Sequence, residues 1–160
     1  MTEHDHPEAA APEGTDAGPK LQLQKIYIKD SSFESPNSPQ VFMQQEGKPS
    51  LSLNLNSTST KIADNTHEVV LSVSVEAKMG DSLAFLIEVQ QAGIFNVEDC
   101  EVEEHRKLVG KRCPAMLYPY VCEAISNLAG KGGFHQLLLQ PLDFDDLYLK
   151  AEQSPPPPQN

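Results

Sequence analysis

The stretch EVVLSVSVEAKMGDSLAFLIEVQ, Glu68 to Gln90, decides the fold. In its first half Val69, Leu71, Val73, Val75 and Ala77 fall opposite Glu68, Ser72, Ser74 and Glu76; in its second, Leu83, Phe85, Ile87 and Val89 fall opposite Glu88 and Gln90. Successive side chains of a strand point to opposite faces, so a period of two over this length predicts two half-buried strands. Gly80 with Asp81 supplies the hairpin turn between them. The second strand is also apolar on its other face, at Ala84 and Leu86. Either a second subunit covers that face or the strand is buried within one chain.

The same period runs upstream. Leu21, Leu23 and Tyr27 alternate with Gln22 and Gln24, and Leu51, Leu53 and Leu55 alternate with Ser52, Asn54 and Asn56. Downstream the period changes. After an acidic stretch, Glu98 to Glu104, residues Leu117, Val121, Ile125 and Leu128 recur at helical spacing, and Gly130, Gly132 and Gly133 provide a left-handed stop. Pro119 is expected within or near the first turn of this helix. A last short helix opens at Asp143, with Asp145 and Asp146 at its positive dipole end, and turns Phe144, Leu147 and Ala151 to one side. Strands first and helices later predict an α+β fold.

At 160 residues the chain suits one domain. Residues 1–20 combine Pro, Gly, Ala and acids and are expected to form a disordered arm; 21–153 form the domain; 154–160, with Pro155 to Pro158, form an extended tail. With 39% hydrophobic residues, 6% aromatic and no Trp, the core must rest on Leu, Val and Ile. Net charge is -11, and -7 of it lies beyond the first twenty residues, where eighteen acids face eleven bases. Such a surface repels nucleic acid and anionic lipid and attracts cationic partners. No apolar run approaches the roughly 18 residues that span a bilayer. The cysteines Cys100, Cys113 and Cys122 are odd in number, lack metal spacing and follow no apolar leader, which predicts a reducing cytoplasm.

Catalytic chemistry is hard to assemble from these residues. His4, Asp5 and His6 sit in the acidic arm with no apolar shell, so they are expected to bind metal only adventitiously. His67, His105 and His135 are scattered; an enzyme would need one of them beside a cysteine. Gly130-Lys-Gly-Gly133 follows a helix, whereas a phosphate loop precedes one. The run Glu98, Asp99, Glu101, Glu103, Glu104 lacks calcium-loop spacing and is read as a solvated face. Neither cofactor nor metal is expected, and no enzymatic activity.

Four blocks point elsewhere: KIYIKDSSFESPNSP at Lys25 to Pro39 with Val41-Phe42, EVQQAGIF at Glu88 to Phe95, CPAMLYPY at Cys113 to Tyr120, and PLDFDDL at Pro141 to Leu147. In this order they resemble the SecB export chaperones over essentially the whole region between the tails. The resemblance implies a four-stranded antiparallel sheet followed by two helices, assembled as a dimer of dimers. It also implies a cytoplasmic homotetramer that binds unfolded precursor proteins, keeps them fit for translocation and passes them to the motor SecA without hydrolysing ATP. On matching positions it implies that Asp30, Glu34, Leu86 and Glu88 dock the basic, zinc-containing tail of SecA. Phe85, Ile87, Val89 and Gln91, with Tyr118 and Cys122, would belong to subunit contacts. Client grooves would draw on Phe42, Phe95, Phe134, Leu137, Leu142, Phe144 and Leu147. Some relatives carry a Trp after Val-Phe; this chain has Glu46-Gly47-Lys48 in that loop and no Trp. The alternative is a SecB-like chaperone dedicated to another client, such as a toxin-antitoxin partner.

Overall fold

A computed structural model describes residues 18–44 and 47–154. The expectations for His4, Asp5 and His6, for most of the acidic arm and for the proline tail lie outside the described residues. Four strands, β1 (Lys20–Glu34), β2 (Ser50–Ala63), β3 (Thr66–Met79) and β4 (Ser82–Glu98), form one antiparallel sheet in the order β1-β4-β3-β2. Strands β2, β3 and β4 are a meander, and β1 joins the free edge of β4 in a Greek-key arrangement. The β3–β4 turn carries Gly80 at φ +60, a conformation that a side chain resists. The β2–β3 turn, not marked by the sequence, is Asp64-Asn65, with Asn65 at φ 56.

Helices pack on one face of the sheet. The chain turns helical at Val102, runs as α1 (Val102–Lys107), passes through a π-helical turn (Leu108–Arg112) and continues as α2 (Cys113–Lys131). The helical region therefore starts some four turns before the expected position. Glu103 and Glu104, read as a solvated run, occupy its first turn, where the dipole favours them. Pro119 lies well inside α2, on its exposed side, and leaves the Ala115 carbonyl without an i+4 donor. Gly133, at φ +87, ends the helical path as expected. A final helix, α3 (Phe144–Gln153), is capped by Asp143, whose Oδ1 accepts from the amides of Asp145 and Asp146 at 3.0 and 3.2 Å.

The core lies between the sheet's inner face and α2. Phe85, Ile87, Val89 and Phe95 of β4 meet Leu117, Val121 and Ile125 of α2 in one buried cluster. Each such side chain fully buried contributes about 1.5–3 kcal/mol. The inner apolar face of β4 is thus covered by α2; on the outer face Ala84 is buried, where Ser35 Oγ donates to its carbonyl at 2.7 Å, while Leu86 stays half-buried.

One expected register is corrected. Leu21, Leu23 and Tyr27 do not share a face, because β1 carries bulges between Leu23 and Lys25 and between Ile28 and Asp30. An extra residue in one strand shifts everything beyond it to the opposite side of the pleat. Leu21, Leu23, Ile26 and Phe33 pack on the core, while Tyr27 crosses to the outer face.

Candidate functional site

The outer face of the sheet carries a patch built by cross-strand pairing. In β1 and β4 the paired positions are Asp30 with Gln90, Ser32 with Glu88, and Glu34 with Leu86. The four residues Asp30, Glu34, Leu86 and Glu88 therefore stand on one face in three successive rows. Toward β3 and β2 the rows continue through Ser72, Ser74 and Glu76 into Asn56, Asn54 and Ser52. The result is a shallow, polar, mainly acidic surface with Leu86 as its apolar member.

Beside it lies a cluster the sequence did not single out. Glu68 accepts from the Tyr27 hydroxyl and from Lys29 Nζ, the latter at 2.8 Å. The Lys29 hydrogen bond, then the Tyr27 one, hold the Glu68 carboxyl below the usual carboxylate range. Burial and the same carboxylate push the Tyr27 hydroxyl up to about 12. The second bulge of β1 is what frees Lys29 from the ladder to make this contact.

At the C-terminal end of α2 four aromatic rings meet. Phe42 lies 5.0 Å from Phe134, Phe134 lies 4.8 Å from Phe85, and Phe33 lies 6.0 Å from Phe85 and 6.3 Å from Phe134. Phe33 belongs to this group although it was not expected there; the two bulges of β1 offset each other, so Phe33 faces inward like Leu21 and Leu23. The Phe33 ring rests on Gly132, where a Cβ would come within 2.1 Å of it. Phe42, 47% exposed, forms the open side of the stack.

A second apolar region lies at the other end of the rod. From Phe134 the chain returns alongside α2, with Leu137, Leu139 and Leu142 half-buried against the core. The Tyr118 hydroxyl donates to the Gln140 carbonyl at 2.7 Å, and its ring meets Phe144 edge to face at 5.5 Å. Phe144 and Leu147 then line a cleft of ≈ 320 Å³ with Leu55, Val109, Pro114 and Tyr148. Tyr148 covers Gly110 in the π turn, and Lys111 pairs with Asp145 at 2.6 Å. Phe42, Phe134, Leu137, Leu142, Phe144 and Leu147 thus reach the surface at least in part. Phe95 does not: it is fully buried beside Leu117, within the core of this chain.

The residues expected at subunit contacts are covered by this chain's own helix. Phe85, Ile87 and Val89 are at most 1% exposed, and Gln91, 3% exposed, donates from Nε2 to the Tyr27 carbonyl at 3.1 Å. Within one chain they lie beneath α2. Tyr118 is likewise held by its own chain, while Cys122 is half-buried, and Met116 and Tyr120 form the open side of α2. The three cysteines are free, and burial pushes the Cys113 thiol up to about 12. His67 and His105 bond each other rather than a cysteine.

The family model of SecB, the preprotein translocase subunit, matches residues 14–155. The chain belongs to the SecB family. It is 50% identical over 135 residues to the protein-export protein SecB of Nitrosococcus oceani, covering 84% of this chain and 82% of that one. To the SecB of Marinobacter nauticus it is 47% identical over 133 residues, covering 83% and 80%. Among solved structures, a SecB-like chaperone of Mycobacterium tuberculosis, held with a ChAD peptide of the HigA1 antitoxin, shares the fold with a TM-score of 0.64 at 16% identity, covering 77% of this chain and 91% of that one. SecB proteins are export chaperones and not enzymes, so this chain's work lies in its surfaces. Among its described residues no helix is long and apolar enough to cross a membrane.

Proposed function

We propose that this SecB protein is a cytoplasmic holdase that assembles as a dimer of dimers, keeps precursor proteins unfolded and hands them to SecA. The observation that carries the reading is the separation of two kinds of surface on one sheet. The outer face presents Asp30, Glu34 and Glu88 around Leu86, which suits a cationic tail with an apolar contact. Such charges raise the rate of encounter and lose strength with salt.

The helix side presents apolar strips around Phe42 and Phe134 and around Phe144 and Leu147. Apolar burial yields about 25 cal/mol per Å², so shallow strips bind a long unfolded chain weakly at each point and firmly in sum. Residues 21–153 are the chaperone domain in this reading, and residues before and after it are tails. Export rather than service to a toxin-antitoxin pair is favoured by the export proteins at 47–50% identity, against 16% for the antitoxin-peptide chaperone.

Two measurements test the proposal. Dilution of a denatured secretory protein into this chain should suppress light scattering, and the chain's mass in solution should equal four copies. Absence of both suppressed aggregation and association would refute the holdase reading; suppression with no salt-sensitive binding of the SecA tail would refute the delivery step alone.

A further inference from the structure

At the start of the helical rod His67 of β3 and His105 of α1 meet edge to face, their ring centroids 4.6 Å apart and their Nε2 atoms 3.0 Å apart. Neither belongs to the surfaces already described. At that distance one Nε2 must donate and the other accept. Two neutral rings can make this bond, and so can one neutral ring and one imidazolium. Two imidazolium rings cannot, because both Nε2 atoms are then donors and two like charges are in contact. Both rings can therefore be charged only at the expense of the contact.

The contact has mechanical weight. Helix α1 buries no residue of its own. Among the described residues the histidine pair is the one side-chain hydrogen bond tying it to the sheet. Immediately after α1 comes the π turn Leu108–Arg112, where the regular i→i+4 ladder is broken and a helix hinges readily. We infer that His67 and His105 form an acid-released latch: it holds α1 on β3 while at most one ring is charged, and lets the rod swing free up to the π turn when both are. Opening would widen the cleft between β3, α1 and α3 and uncover Val109, which is 7% exposed when the latch is shut.

The titratable and charged groups around the pair come from β2, α1, α3 and the connection between β4 and α1. Lys61 of β2 stands directly across from His67, and Arg106 of α1 borders the same cleft as Tyr148 and Glu152 of α3. Cys100 borders the other side, with Asp99 and Glu104 beside it. Burial first, then His105 and Lys61, hold His67 below the ordinary imidazole value of 6.5. A histidine whose folded value lies below its unfolded one adds stability that is present above the unfolded value and is lost as pH falls through the folded one. The latch therefore weakens from about pH 6.5 downward. Among the described residues no three metal-ligating side chains converge.

The test is hydrogen exchange on the full chain at pH 7.5 and 5.5, corrected for intrinsic rates. Protection of residues 102–109 should fall by a factor of several at the lower pH, while β4 stays protected. In His105→Gln the carboxamide can still bond His67 but cannot charge, so this pH response should disappear; His67→Gln provides the same comparison should the first variant fold poorly. Imidazole nitrogen shifts should follow two linked steps. Equal pH responses in the wild-type chain and the Gln variants, or two rings titrating independently with α1 protection unchanged, would overturn the latch.

Discussion

Gly132 and Gly130 stand two residues apart at the end of α2 and meet different surroundings. A methyl at 132 would run into the Phe33 ring, whereas at 130 its nearest neighbour is 3.6 Å away. Neither has the positive φ that would itself forbid a side chain. Gly132→Ala should therefore destabilise the chain by about 1–3 kcal/mol through overpacking. Gly130→Ala should be neutral or stabilise by up to about 1 kcal/mol through reduced backbone freedom. Urea unfolding of the two variants checks both signs. This contrast was only half legible beforehand. Three glycines after a helical stretch announce a stop, but which of them holds the left-handed turn and which admits an aromatic ring depends on a strand a hundred residues away. The burial of Phe95 was not legible for a similar reason: an aromatic side chain has the same letter whether it lines a groove or fills a core.

The elements differ in how firmly they are held. Strand β4 is paired on both sides and buried on its inner face, whereas α3 has no fully buried residue and rests on Phe144, Leu147, Tyr148 and one ion pair. Its first turn depends on Asp143, so Asp143→Ala should cost about 0.5–2 kcal/mol of local helix stability. Exchange in residues 144–153 should quicken while α2 is unaffected. That helix was readable down to its cap because every signal for it is local. The start of the rod was not. Residues 102–112 are held where the π turn packs on β2 and α3, and their own pattern carries no clear helical stripe. The bulges of β1 were equally hidden, since an extra residue on an edge strand leaves a sequence that still alternates on either side of it.

For the molecule as a whole, the pleat of one sheet separates a charged surface from an apolar one. Charge reversal at Asp30 or Glu88 should abolish most of the salt-sensitive binding of a basic SecA tail yet leave suppression of client aggregation intact, as read by calorimetry and light scattering on the same preparation. Truncating Phe42 to Ala should do the opposite, since that ring is exposed and touches none of the acidic rows. The division itself was visible in the alternation of Glu68 to Gln90, as was a helix for its inner face, which is α2. The two bulges of β1 carry a lesson about how such a chain can change length. Bordered on one side only, β1 has absorbed two additional residues and kept its partner. A one-residue insertion in the middle of β4 would exchange its buried and exposed sets against two neighbours at once, and should leave no soluble product on expression. Growth and loss of sequence in this architecture are thereby confined to its margins.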